Sequence, residues 1–321
     1  LDDSGWLWSP GLREGVRPGS FFHLTEVFGP VLGLMHADDL DEAIELQNAT
    51  EYGLTGGIHS LDADEIDYWT EHVEVGNAYV NRHITGAIVE RQSFGGWKAS
   101  NVGPGAKAGG PSYVAQLGTW SPDGLPTKGA DVAPAVRRTV EAMLTRLDDR
   151  VSDKDREMIA AALRSDALAW AEEIGVEHDR TGLRVESNVF RYRPVPRVVI
   201  RAGADASVAE VVRLVGAATL TRTPVLVSAH PELGLPGSLG HVQVVTADDD
   251  SFAARALAQA GPTGRVRVVG STPSSLRSAS PTEVTVLDGP VLANGRRELL
   301  TFVREQAISR TRHRFGHVEE R

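Results

Sequence analysis

The spacing of apolar residues constrains this chain more than any other feature. Twice along its length, segments with helical spacing alternate with short runs of strand length. That alternation marks a mainly parallel α/β sheet. In the first block, Asp38 to Asn48 reads as a helix, with Asp38 or Asp39 placed to cap it and Leu40, Ala43, Ile44 and Gln47 on one face. Gly53 ends the connection, and Leu54 to His59 reads as a strand. Asp64 to Val75 reads as a second helix, stopped by Gly76, and Asn77 to Val80 is a strand again. The second block starts at Pro196. Strands are expected at Arg197–Ile200, Val225–Val227, Val242–Val245, Val266–Val269 and Glu283–Leu287. Helices are expected from Ser207, with Val208, Val211, Val212 and Val215 inward, and over Ser251–Ala260. After Gly295 a final amphipathic helix is expected, with Leu299, Leu300, Val303 and Ala307 on one face.

Between the blocks lies Ser121 to Pro134 (SPDGLPTKGADVAP), which has the composition of a linker. A helical region follows, in which Ser152 caps a run carrying Ile159, Leu163, Ala167 and Trp170 on one side. The expected fold is therefore α/β in two parts. Residues 1–120 form the first, 121–134 the linker, and 135–321 a second domain with a Rossmann-like core. No internal repeat is evident.

A length of 321 residues suits two domains. The formal charge of −10 argues against a nucleic-acid partner. No run of about 18 apolar residues exists to span a membrane. No charged and then apolar leader opens the chain. Cysteine is absent, which excludes disulfides, thiolate metal sites and a thiol nucleophile within these residues. A cytoplasmic location fits. The chain opens on Leu1 and not Met, and it reads as a fragment of a longer protein.

Chemistry begins at Thr25 to Val31 (TEVFGPV). A carboxylate beside an aromatic, followed by Gly-Pro, can clamp a ribose: Glu26 would accept from sugar hydroxyls and Phe28 would offer an apolar face. Taken alone, a Glu near a turn is only solvated and a Phe only packs. The neighbourhood adds to this, because Thr25 to Ser60 resembles the aldehyde dehydrogenase superfamily over its whole length. Gly76 to Tyr113 narrows the resemblance to the glutamate-semialdehyde (1-pyrroline-5-carboxylate) dehydrogenases, especially those fused to proline dehydrogenase. The marks are Arg91-Gln92-Ser93-Phe94-Gly95-Gly96 and the run from Gly103 to Pro111, GPGAKAGGP.

The resemblance implies a nicotinamide-ribose contact for Glu26 and Phe28. It also implies an anchor loop whose backbone N–H groups hold the substrate's α-carboxylate. By position that falls on Gly105 and Ala106, with Ser100 and Lys107 as neighbours. Glycines suit such a loop because they let the backbone approach an anion. The implied parent oxidises glutamate semialdehyde with NAD held by an upstream domain, using a cysteine that lies upstream of Glu26. No catalytic residue is expected in this chain. The implied partners are the upstream dehydrogenase half, a fused proline dehydrogenase and further copies of the same protein. Ser112 to Trp120 reads as a strand, and in this superfamily the corresponding segment belongs to an oligomerisation flap.

In the second half, Arg197 to Ser228 resembles the superfamily's own NAD-binding domain, and Gly270-Ser271-Thr272 resembles its glycine-serine-threonine turn. The Lys-Pro-Ser ribose element is replaced by Val227, Ser228 and Ala229. No G-x-G-x-x-G follows a strand. The expectation is an aldehyde-dehydrogenase-like domain that binds no dinucleotide. Residues 295–316 resemble the terminal motif of long proline-utilisation enzymes, which implies a lid. His313 and His317 lack the pattern of a metal helix, so no metal is expected, and Gly261 to Gly264 lacks a phosphate loop's Lys-Ser/Thr. Two other readings stand beside this one: a docking, lid or oligomerisation module for a separate catalytic polypeptide, and a piece of an aldehyde dehydrogenase of other specificity.

Overall fold

A computed structural model describes residues 5–261, 263–278, 284–314 and 317–318. The expected strand start at Glu283, Pro262 of the Gly261–Gly264 turn, and Phe315 and Gly316 of the terminal motif lie outside the described residues.

The first helix, Leu40–Asn48, is capped by Asp39, whose carboxylate accepts the Glu42 N–H at 2.9 Å. Glu42 reaches back to the Asp38 N–H at 2.6 Å, so the chain entering the helix is tied to its first turn. The helix Ala63–His72 starts from Asp62 in the same way. The strands Thr55–Ile58 and Asn77–Val80 pair in parallel, as the alternation predicts. Ile44, Ile66, Trp69 and Ala78 bury together as a small core. Gly76 sits where this core meets the next loop, and a Cβ there would lie 2.0 Å from the Gly95 carbonyl oxygen.

The second half holds a larger core. Helix Asp153–Ala169 starts with a full capping box between Ser152 and Asp155. Helix Val208–Thr221 starts at Ser207 and is buried on nearly every side. Val211, Val212, Leu214 and Val215 are each 0% exposed. Each such side chain contributes about 1.5–3 kcal/mol on burial. These helices pack on a six-stranded sheet. Its order is Ser238–Leu239, Val242–Thr246, Val225–Ala229, Val198–Ala202, Arg265–Val269 and Thr285–Leu287. Every pairing is parallel except the first. This is the Rossmann-like arrangement expected, and the chain as a whole is mixed α/β.

The C-terminal end corrects the sequence reading. Only Gly295–Glu298 is α-helical and Leu299–Thr301 is a 3-10 turn. Val303–Thr311 is then a strand. Val303 and Ala307 are four apart, a spacing shared by one helix face and one strand face, so periodicity alone misassigned them. This terminal strand pairs antiparallel with Glu186–Pro194 and parallel with Asn77–Val80. The resulting four-stranded sheet joins the first third of the chain to the last. The strand Glu186–Pro194 escaped sequence reading because Glu186, Asn188 and Arg191 interrupt any apolar pattern, yet all three are buried.

Ser112 to Trp120 is likewise not a strand. Val114–Leu117 forms a 3-10 turn, with Val114 76% and Leu117 74% exposed. A lone apolar run without a strand partner gains nothing from an extended backbone. Trp120 instead donates its Nε1–H to the Ala115 carbonyl at 3.0 Å, and Arg297 stacks 4.2 Å from its ring centre.

Candidate functional site

The residues read as functional fall into two places. Glu26 and Phe28 lie on an exposed stretch. The Glu26 carboxylate has no hydrogen-bond partner among the described residues. Phe28 has φ 47° and is 90% exposed, a left-handed position that turns its ring out of the fold. An open acceptor beside an open apolar ring fits a sugar contact. The structure does not bring this pair together with the glycine-rich loop.

That loop, residues 103–107, is gripped from the second half at three points. Thr285 Oγ1 donates to the Gly103 carbonyl at 3.2 Å, and Arg265 Nη2 donates to the Pro104 carbonyl at 3.0 Å. The Lys107 N–H donates to Glu305 Oε2 at 2.6 Å. Gly105 has φ +79°, and a Cβ there would meet Asn101 Nδ2 at 2.9 Å, so glycine is needed for both reasons. Between these fixed points the N–H groups of Gly105 and Ala106 have no partner among the described residues. Both line an open pocket of about 420 Å³, which also meets Trp120, Arg297, Thr301 and Glu305.

Ser100 turns away from Gly105 and Ala106 and does not line that pocket. Its hydroxyl accepts the Gly53 N–H at 3.2 Å, tying the loop base to the strand Tyr52–Gly53. Thr285, Arg265 and Glu305 were missed at the sequence level. Each is remote from the loop in sequence, and Glu305 faces it only because the terminal segment is a strand.

Lys107 points inward and is 1% exposed. Its ammonium donates to Asn77 Oδ1 at 2.9 Å and to the Gly95 carbonyl. Burial pulls the Lys107 amine down to about 7, with Glu305 pushing the other way. Burial also lifts the Glu305 carboxyl above its ordinary range, opposed by the Lys107 N–H. Between about pH 7 and 10.5 the folded lysine is neutral while the unfolded one is charged. The unfolded state then binds more protons, so stability from this group rises with pH across that window. The slope approaches about 1.4 kcal/mol per pH unit. Lys107→Met is expected to remove that slope in urea unfolding at pH 7, 8 and 9. An unchanged slope would place the titration elsewhere.

The nucleotide-like features of the second sheet are occupied by the protein itself. In open α/β sheets ligands bind at the carboxyl ends of the strands. There Arg201, 0% exposed, donates to Ser228 Oγ at 3.2 Å, the Ala247 carbonyl at 2.8 Å and Asp249 Oδ1 at 2.6 Å. At the Gly270-Ser271-Thr272 turn, Asp205 takes the Ser271 N–H at 2.8 Å and its hydroxyl at 2.6 Å. Those two bonds hold the Asp205 carboxyl below its usual range, so an anion sits where a phosphate would need donors.

No group of three or more His, Cys, Asp or Glu side chains is placed to hold a metal ion among the described residues. Among the same residues no helix is long and apolar enough to cross a membrane. His313 and His317 lie in two short strands that pair antiparallel, His313 opposite Val318 and Arg314 opposite His317.

Comparison with known proteins bears on both halves. The sequence model of the aldehyde dehydrogenase family matches residues 1–118. A 1-pyrroline-5-carboxylate dehydrogenase of Bacillus thuringiensis is 44% identical over 114 residues, 36% of this chain and 22% of that protein. The solved structure of proline utilization A (PutA) from Corynebacterium freiburgense is 46% identical with a TM-score of 0.80. That match covers 99% of this chain and 29% of the other. A Thermus 1-pyrroline-5-carboxylate dehydrogenase solved with bound NAD is 38% identical over 36% of this chain and 22% of that one, at a TM-score of 0.33. The chain therefore spans less than a third of each of these relatives. Over residues 1–118 the chain is therefore similar to the aldehyde dehydrogenase family.

Proposed function

We propose that this chain is part of an NAD-dependent dehydrogenase that oxidises L-glutamate γ-semialdehyde to L-glutamate in proline breakdown. The observation that carries the reading is the loop at Gly105 and Ala106. Two unpartnered backbone N–H groups line a pocket, and the loop that bears them is fixed at Gly103, Pro104 and Lys107. Preorganised donors of this kind suit a carboxylate. The similarity to the Bacillus and Corynebacterium proteins points to the same substrate. In this reading Glu26 accepts from the cofactor's ribose hydroxyls and Phe28 packs on it. NAD, when bound, supplies the hydride acceptor and is held mainly by an upstream domain.

The chain contains no cysteine, so we infer that it does not carry out the oxidation unaided. Residues 135–321 act as a support that binds no dinucleotide. The self-occupied strand ends at Arg201 and Asp205 favour this. The terminal strand and Arg265 hold the anchor loop, which favours the module reading as a description of the second half within the same enzyme. A cytoplasmic location and assembly into homo-oligomers are part of the proposal.

A chimera tests this. The 321 residues would replace the matching 29% of the C. freiburgense protein. The chimera is expected to reduce NAD with L-glutamate γ-semialdehyde and to prefer it to alkyl aldehydes of equal length. A preference for the alkyl aldehydes would sink the substrate assignment.

A further inference from the structure

Residues 121–134 connect the two halves and carry a reactive pair that the proposed function does not use. Aspartate or asparagine before glycine can close into a five-membered ring, because glycine puts no Cβ in the way of its own main-chain nitrogen. The sequence holds three such pairs: Asp123–Gly124, Asp288–Gly289 and Asn294–Gly295. In the folded protein they differ in how firmly the reacting groups are held. At Asn294–Gly295 the attacking nitrogen is committed, since the Gly295 N–H donates to Ser165 Oγ at 2.9 Å. Gly295 is also buried, and the Asn294 carbonyl accepts the Glu298 N–H at 3.0 Å as part of a helix start. At Asp288–Gly289 the carboxylate is committed. It accepts from the Thr272 hydroxyl at 3.0 Å and faces Arg277 at 3.6 Å. The Gly289 carbonyl accepts from the buried Arg267 at 2.6 Å.

Asp123–Gly124 has none of these restraints. Both residues are exposed, and among the described residues neither takes part in a hydrogen bond or ion pair. Gly124 sits at φ +68° with no atom within 4 Å of where a Cβ would be, so its peptide has room to turn its nitrogen toward the Asp123 side chain. We propose that Asp123 is a site of spontaneous isoaspartate formation in the folded protein. The Gly124 nitrogen bonds to Asp123 Cγ, and the carboxyl hydroxyl leaves with the amide proton as water. Water then opens the ring at the Asp123 main-chain carbonyl, breaking its bond to the Gly124 nitrogen. The chain now runs through Cγ, with one more methylene and a carboxylate on Cα. No atom is gained overall, nothing is oxidised or reduced, and water is the sole co-reactant. The linker is thereby lengthened between two halves that the four-stranded sheet continues to join.

Peptide mapping with electron-transfer fragmentation, which separates isoaspartate from aspartate, tests this on the 321-residue chain in neutral buffer and in guanidinium chloride. Each site is compared with itself unfolded, so that intrinsic reactivity cancels. Folding is expected to slow Asp123 by about threefold or less, and to slow Asp288 and Asn294 by about tenfold or more, since those two must first open locally. Asp123→Glu, whose ring would have six members, is expected to remove the signal at that position alone. Slowing of Asp123 as great as that at either other site overturns the proposal. So does a folded chain that forms no isoaspartate at position 123.

Discussion

Arg213→Met is expected to lower the unfolding free energy by about 3–5 kcal/mol, because it strands a buried carboxylate. Arg213 and Asp166 meet through two parallel bonds of 2.6 Å, with side chains 0% and 1% exposed. Arg213 also donates its Nε–H to the Leu292 carbonyl at 3.0 Å. Even with the guanidinium in place, burial pushes the Asp166 carboxyl up to about 6. A carboxyl raised in the folded state binds its proton more tightly there than in the unfolded chain. Stability from this group therefore falls as pH rises from 3.8 to about 6. Without Arg213 that window extends upward, so the variant is least destabilised in acid. Adding Asp166→Leu is expected to recover most of the loss, since a matched apolar pair removes both desolvation costs. Urea midpoints for the two variants measure this, and a loss under about 1 kcal/mol in Arg213→Met would contradict it. The pair also braces the chain's end: a Cβ on Gly295 would lie 2.5 Å from Asp166 N and Cα, just before the terminal strand begins.

Ala307→Pro is expected to cost about 3 kcal/mol and to uncouple the two halves of the molecule. Ala307 is 4% exposed in the middle of the terminal strand, with a neighbour strand on each side. Its N–H donates to the Gly76 carbonyl at 2.9 Å. Proline removes that donor and adds a ring to a strand interior. Gly76 cannot move to compensate, because it already lies against Gly95. Two further bonds cross the same junction: Trp97 Nε1–H donates to the Glu305 carbonyl at 2.7 Å, and Gln306 Nε2–H to the Val75 carbonyl at 3.0 Å. Limited proteolysis is the readout. Cleavage between the halves is expected to speed up in Ala307→Pro, and wild-type resistance would show that the strand is not the joint.

Much of this fold could be read from local pattern. Asp39, Ser152 and Ser207 cap their helices as their residue types suggest, and Val198–Ala202 and Arg265–Val269 are valine-rich runs of strand length. Such signals are local because capping and periodicity are local physics. The strand Glu186–Pro194 gave no such signal. Its polar side chains are buried because distant groups pair them: Arg191 meets Glu71 Oε1 at 2.6 Å and Gln306 Oε1 at 2.9 Å. The terminal strand was misread for a related reason, since only its two partners distinguish it from a helix. The candidate site divides in the same way. Glycine content and family resemblance pointed to Gly105 and Ala106, but Arg265, Thr285 and Glu305 reach the loop through tertiary contacts that no spacing encodes.

In the proposed reading this chain presents a cofactor-ribose contact and a carboxylate anchor but no cysteine nucleophile. The most direct measurement is NADH formation from L-glutamate γ-semialdehyde and NAD, followed at 321 residues alone and in the C. freiburgense chimera. The chain alone is predicted to give no NADH above background, and the chimera to give steady turnover. Turnover by the chain alone would contradict the account, because a chain without cysteine would then be performing an oxidation assigned to a thiol.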